Sequence, residues 1–109
     1  MSHFEQAGST FTAQCEGWWE QAHYGRQPMV DLKLQFSGEE VYGNGRDIIG
    51  LFTLRGTLNA QGEVTLLKQY LGQHSVQYFG RYDGEGVLAG EWRIYTEHGR
   101  WAIKIKSAE

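Results

Sequence analysis

The chain has 109 residues, with 15 glycines against a single proline, 14% aromatic residues from 4 tryptophans, 6 tyrosines and 5 phenylalanines, and a formal net charge of -3. That length supports one hydrophobic core, and the glycine-rich, aromatic-rich composition suits short strands joined by tight turns. The negative charge lacks the basic footprint of a nucleic-acid binder, the lone Cys15 excludes an internal disulfide and fits a reducing, cytoplasmic setting, and no apolar run approaches the length of a membrane-spanning helix, so neither nucleic acid nor membrane is expected as a partner.

Residues 1–9 are polar and are expected to form a flexible leader, with a single domain over 10–109. The stretch 1–17 has no basic start and apolar run of the secretory kind. From Thr10 onward the apolar period is close to two, and no segment carries a helical period. The first strand is read over about Thr12 to Tyr24. Cys15, Gly17, Trp19 and Gln21 are placed inward because Gly17-x-Trp19 recurs as Gly90-x-Trp92, although the adjacent Trp18 and Trp19 leave the opposite register open. A loop over Gly25 to Pro28 then opens the second strand, where Val30, Leu32, Leu34 and Phe36 alternate with Asp31, Lys33 and Gln35 to give one buried and one wet face.

Ser37-Gly38-Glu39 forms a turn into a short third strand, Glu40 to Gly45, whose Gly43 and Gly45 predict a bend or a close backbone approach. The fourth strand, about Ile49 to Leu58, points Phe52, Leu54, Gly56 and Leu58 inward. A turn over Asn59–Gly62 leads to the fifth, Glu63 to Tyr70, where Val64 and Leu66 share a face with Lys68 and Tyr70. The sixth, His74 to Asp83, continues that face through His74, Val76, Tyr78 and Gly80. After Gly84-Glu85-Gly86 the seventh buries Leu88, Trp92 and Ile94. Glu97-His98-Gly99 is read as the last hairpin turn, and Trp101, Ile103 and Ile105 complete the inner face. Eight strands joined by short loops make an all-β, antiparallel, up-and-down barrel, since closure removes the two edges an open sheet would expose. A two-sheet β-sandwich is the alternative.

The pattern Gly43-x-Gly45-x-Asp47-x-x-Gly50-x-Phe52, then Lys68-x-Tyr70-x-Gly72-x-His74-x-Val76-x-Tyr78-x-Gly80, then Gly90-x-Trp92, resembles a widespread group of small, uncharacterised β domains. They occur alone or attached to larger proteins and have no assigned activity. In architecture the chain also resembles the avidin- and lipocalin-type barrels, with Gly17-x-Trp19 early and Gly90-x-Trp92 late. The biotin-binding residues of avidins do not map onto it.

The chemistry concentrates on the fifth and sixth strands. A loop at Leu71–Gln73 pairs Tyr70 with His74, Lys68 with Val76 and Leu66 with Tyr78, which makes His74 and Tyr78 diagonal neighbours of Lys68. Tyr78 is then expected beside Trp92, with Phe52 near Tyr70 and Leu54 near Lys68. An inward ammonium needs a partner. Asp47, at the handover from the third to the fourth strand, is the carboxylate in place to supply it, with Gln21 the other polar group. The expected site is a pocket at one barrel end made from Lys68, His74, Tyr70, Tyr78, Trp92, Trp19, Asp47 and Gln21. It would hold a small anionic or aromatic ligand, Lys68 as counter-charge and the tryptophans as walls. The plainer reading is an internal Asp47–Lys68 ion pair plugging a side-chain-filled barrel.

Two other functions follow from the same residues: a protein-interaction or assembly module, or a small lyase or isomerase with Lys68 as base. No cofactor is expected, and no metal, because His3, His23, His74 and His98 lack ligand spacing and Cys15 has no second cysteine beside it. The stretch Gly43–Asp47 is not followed by the lysine and helix of a phosphate-binding loop. Trp18, Leu51, Leu67, Phe79 and Tyr95 fall on the outer face, and Leu67 beside Phe79 is the expected place for a homodimer contact.

Overall fold

Eight segments of alternating apolar and polar residues become eight strands in the computed structural model, which describes residues 10–108. The expected leader, 1–9, lies outside the described residues. The strands are β1 (Thr10–Gln21), β2 (Gly25–Ser37), β3 (Glu40–Arg46), β4 (Leu51–Leu58), β5 (Glu63–Tyr70), β6 (Ser75–Tyr82), β7 (Val87–Ile94) and β8 (Glu97–Ala108). Each runs antiparallel to the next, and β8 returns to pair with β1 through Trp19 opposite Trp101. The sheet is therefore a closed up-and-down barrel rather than a sandwich. No helix among the described residues is long and apolar enough to cross a membrane.

The inner face holds Leu32, Leu34, Phe36, Phe52, Leu54, Leu66, Leu88, Trp101 and Ile103, all buried. On β1 the inward set is Ala13, Cys15 and Trp19, the register marked by the repeated Gly-x-Trp fragment. The cross-strand partners match the sequence reading: Lys68 opposite Val76, Leu66 opposite Tyr78, Tyr78 opposite Trp92, Phe52 opposite Tyr70 and Leu54 opposite Lys68. Glycine does steric work where Gly80 faces Gly90. The Trp101 indole packs beside this pair and donates to the Phe79 and Glu91 carbonyls, at 3.2 and 3.0 Å. A Cβ on Gly90 would run into the Phe79 carbonyl.

Four expectations are corrected. The segment Gly25–Pro28 is already strand, since the β1–β2 turn is formed by residues 22–24. Val30 does not face the core. Asp31 is an extra residue in β2 with φ 52, so Met29 takes the inward place and is 1% exposed. The last hairpin turns at Tyr95-Thr96, with Ile94 opposite Glu97, so Glu97–Gly99 belongs to β8. His74 precedes β6 and is exposed rather than inward.

The two ends of the barrel differ. Loops at one end carry the exposed side chains of Tyr24, Ile48, Leu71 and Tyr95. Loops at the other, residues 38–39, 59–62 and 83–86, carry none of the exposed large apolar side chains and include Glu39, Asp83 and Glu85.

Candidate functional site

Alternation along β5 leaves Lys68 no choice of direction. Its neighbours on the same face, Leu66 and Tyr70, belong to the core, so the lysine is buried too. Asp47 reaches it from the connection after β3. The Asp47 backbone N–H donates to the Gly50 carbonyl at 3.1 Å, and carboxylate Oδ1 accepts the N–H of Ile49 at 2.9 Å and of Gly50 at 3.4 Å. This local turn aims the other oxygen into the barrel. Oδ2 accepts from Lys68 Nζ at 2.7 Å, Tyr70 Oη at 2.7 Å and Trp19 Nε1 at 3.0 Å.

The ion pair is sealed, with side-chain exposures of 1% for Lys68 and 0% for Asp47. Lys68 Nζ also donates to Tyr78 Oη at 3.1 Å. It lies 4.2 Å from the Phe52 ring centroid, 4.9 Å from Tyr70, 5.4 Å from Tyr78 and 5.6 Å from Trp19. The ammonium thus exchanges water for one carboxylate, one hydroxyl and nearby aromatic rings. Burial lowers the Lys68 pKa from 10.5 to about 8, against the opposing pull of Asp47. Burial likewise raises Tyr70, helped by its bond to the Asp47 carboxylate, and raises Tyr78, with the Asp47 charge adding to the effect. Among the described residues no buried side-chain nitrogen or oxygen is left without a partner.

Beside this network, the mouth of the barrel forms an open cavity of about 370 Å³. Trp19, Tyr70, Tyr78 and Trp92 supply aromatic lining, Ile49, Val76 and Ile94 aliphatic lining, and Gln21, Tyr24, His74, Tyr95 and Glu97 complete it. Trp19 meets Trp92 edge to face, with centroids 6.4 Å apart at 89°. Trp92 is fixed in turn by its indole N–H, which donates to the Glu20 carbonyl at 2.9 Å.

The eight residues singled out from sequence therefore divide. Lys68, Asp47, Tyr70, Tyr78 and Trp19 form the buried network. Trp92, His74 and Gln21 line the cavity but take no bond with Lys68 or Asp47. His74 packs its ring 5.1 Å from Tyr70, and Gln21 donates to Glu97 at 2.7 Å. Sequence reasoning missed Tyr24, Ile49, Val76, Ile94, Glu97 and Tyr95, the last assigned to the outer face, in the lining, and Met29 at the Tyr78 hydroxyl, 4.0 Å away. The Met29 position was hidden by the bulge, while Ile49 carries a signal of its own, an apolar residue two positions after a buried aspartate. Among the described residues no group of three His, Cys, Asp or Glu side chains is placed to hold a metal. Cys15 is a buried thiol whose pKa burial raises to about 11, with a weaker opposing effect from the Leu34 backbone.

No protein-family model, curated protein or solved structure matches the chain.

Proposed function

We propose that the barrel binds one small, flat, largely apolar molecule of aromatic character at its open end. The observation that carries this reading is the cavity of about 370 Å³ with six aromatic side chains in its lining, a volume within the ordinary range for small-molecule sites. Barrels of eight strands are either filled by side chains or hold one small ligand. Here Lys68 and Asp47 fill the interior next to a space that stays open. The pattern-level resemblance to avidin- and lipocalin-type barrels supports the same reading by analogy of architecture alone.

The chemistry of the lining favours an aromatic over an anionic ligand. The Lys68 ammonium is buried against Asp47 and Tyr78, and the charged side chain in the lining proper is an acid, Glu97. A lyase or isomerase role draws no support from an amine held in that way. The assembly reading rests on Leu67 and Phe79, exposed on adjoining strands, which is too small a patch to favour it over the cavity.

A thermal-shift screen with aromatic fragments, followed by calorimetry on the hits, tests the proposal. Ligand at about 100 times its Kd should stabilise the fold by about 2.7 kcal/mol. Val76→Trp, which fills the cavity from β6, should remove that response while the barrel still folds. Equal binding by the filled variant, or no binding across the panel, overturns the reading.

A further inference from the structure

The cavity is graded with depth. Trp19, Tyr70, Val76, Tyr78 and Trp92 are buried and form its floor, while Gln21, Tyr24, His74, Tyr95 and Glu97 stand at the rim. Below the floor the charges of Lys68 and Asp47 cancel in a sealed pair. Among the described residues no lysine or arginine lines the space, so Glu97 sets the charge of its wall. That carboxylate faces inward by alternation. Period two on β8 carries the inner face from Trp101 through Gly99 to Glu97, and Ile94, opposite Glu97 on β7, lines the cavity too.

Glu97 is also held in place. The turn after β1 wraps the Gln21 amide, whose Oε1 accepts the N–H of His23 at 2.8 Å and of Tyr24 at 3.2 Å. This fixes Nε2, which donates to Glu97 Oε1 at 2.7 Å. The second carboxylate oxygen, Oε2, has no partner among the described residues. An aromatic pocket thus ends in a positioned acceptor with one oxygen to spare. The basic group at the rim, His74, keeps its ring on Tyr70, with 5.1 Å between centroids.

Resting on the binding role proposed for the cavity, we propose that its ligand is an arylalkylamine, with the ring on the floor and a protonated amine at the rim against Glu97. Lys68 dictates that orientation. Its ammonium already lies 4.9 Å from the Tyr70 ring, 5.4 Å from Tyr78 and 5.6 Å from Trp19, so a second cation on the floor would face a like charge. At the rim the opposite charge of Glu97 takes over, and aromatic walls favour a cation above an anion. An anionic ligand would meet Glu97 with no lysine or arginine beside it. The Gln21–Glu97 bond also has a plainer use, as a tie beyond the β1–β8 ladder, which stops at Trp19 opposite Trp101. A tie would shift stability and treat all ligands alike, whereas recognition shifts the preference between them.

Calorimetry on the full chain tests this with three probes that share one ring: phenethylamine, phenethyl alcohol and phenylacetate. The amine should bind roughly tenfold more tightly than the alcohol, and phenylacetate most weakly. Glu97→Gln should lower the affinity for the amine about fivefold while that for the alcohol stays within about twofold. Glu91→Gln, exposed on the outer side of β7, removes the same charge and should change neither. Circular dichroism checks that each variant is folded. Equal binding of amine and alcohol, phenylacetate as the tightest probe, or an equal loss of both in Glu97→Gln overturns the inference and leaves the cavity reading standing. Binding of neutral fragments from the wider panel without binding of the amine does the same. Silence from the three probes and the panel together overturns the cavity reading, and this inference with it.

Discussion

At the residue scale, a lysine among core side chains is tolerable because Asp47 meets it with a carboxylate that already holds two backbone N–H groups. Lys68→Met removes the cation and leaves that carboxylate buried. The expected loss is about 3–5 kcal/mol in urea denaturation, and adding Asp47→Asn should recover part of it. The pair also sets a pH dependence. Lys68 has a folded pKa of about 8, below its ordinary 10.5, so the unfolded chain binds more protons between those values and stability rises with pH across that window. Tyr70 and Tyr78 are displaced upward, so their contribution is full below pH 10 and declines above it. Denaturation at successive pH values should show stability climbing by about 1–2 kcal/mol from pH 7 to 9.5, then falling beyond 10. A flat profile would contradict the buried geometry of the pair.

At the scale of the element, hairpin register and glycine placement act together. Gly80 and Gly90 face each other where β6 meets β7, and a methyl on Gly90 meets backbone rather than a yielding side chain. Gly90→Ala should cost about 1–3 kcal/mol, seen as an earlier urea midpoint. By contrast, Gly72, with φ 72 and open space around its α-carbon, lies in a loop where a substituent meets strain but no neighbour. Alternation made most pairings readable, because a slip of one residue on β5 would have exposed Val64, Leu66 and Tyr70 together. It failed at Asp31, since Val30-Asp31-Leu32 reads as unbroken alternation and the extra residue is evident only against the partners of both neighbouring strands. It failed again at Gly99, which resembles a turn glycine but leaves room for Trp92, whose indole nitrogen would lie 2.5 Å from a Cβ there.

For the whole molecule, closure depends on the last strand finding the first. A chain ending at Thr96 lacks Trp101 and Ile103, both buried, and leaves β1 and β7 as open edges. It should lose the cooperative urea transition of the full chain. The barrel was legible because eight short alternating segments have few ways to hide their edges, and the Asp47–Lys68 pair because an ammonium on an apolar face requires a partner. The open mouth was not legible. Whether Trp19, Tyr70, Tyr78 and Trp92 meet across the axis or stand apart depends on strand tilt and rotamers, which residue spacing does not encode.

The position of Trp19 gives the protein a light-sensitive gauge of its own state. Two of its four indoles, Trp19 and Trp92, line the mouth, whereas Trp101 is packed in the core and Trp18 lies beneath the Arg26 guanidinium at 3.7 Å. Trp19 is moreover tied to the Asp47 carboxylate and lies 5.6 Å from the Lys68 ammonium, so its emission colour should respond to the charge on that lysine as well as to whatever enters above it. An unlabelled sample in a fluorimeter can therefore report both filling of the mouth and titration of Lys68 below.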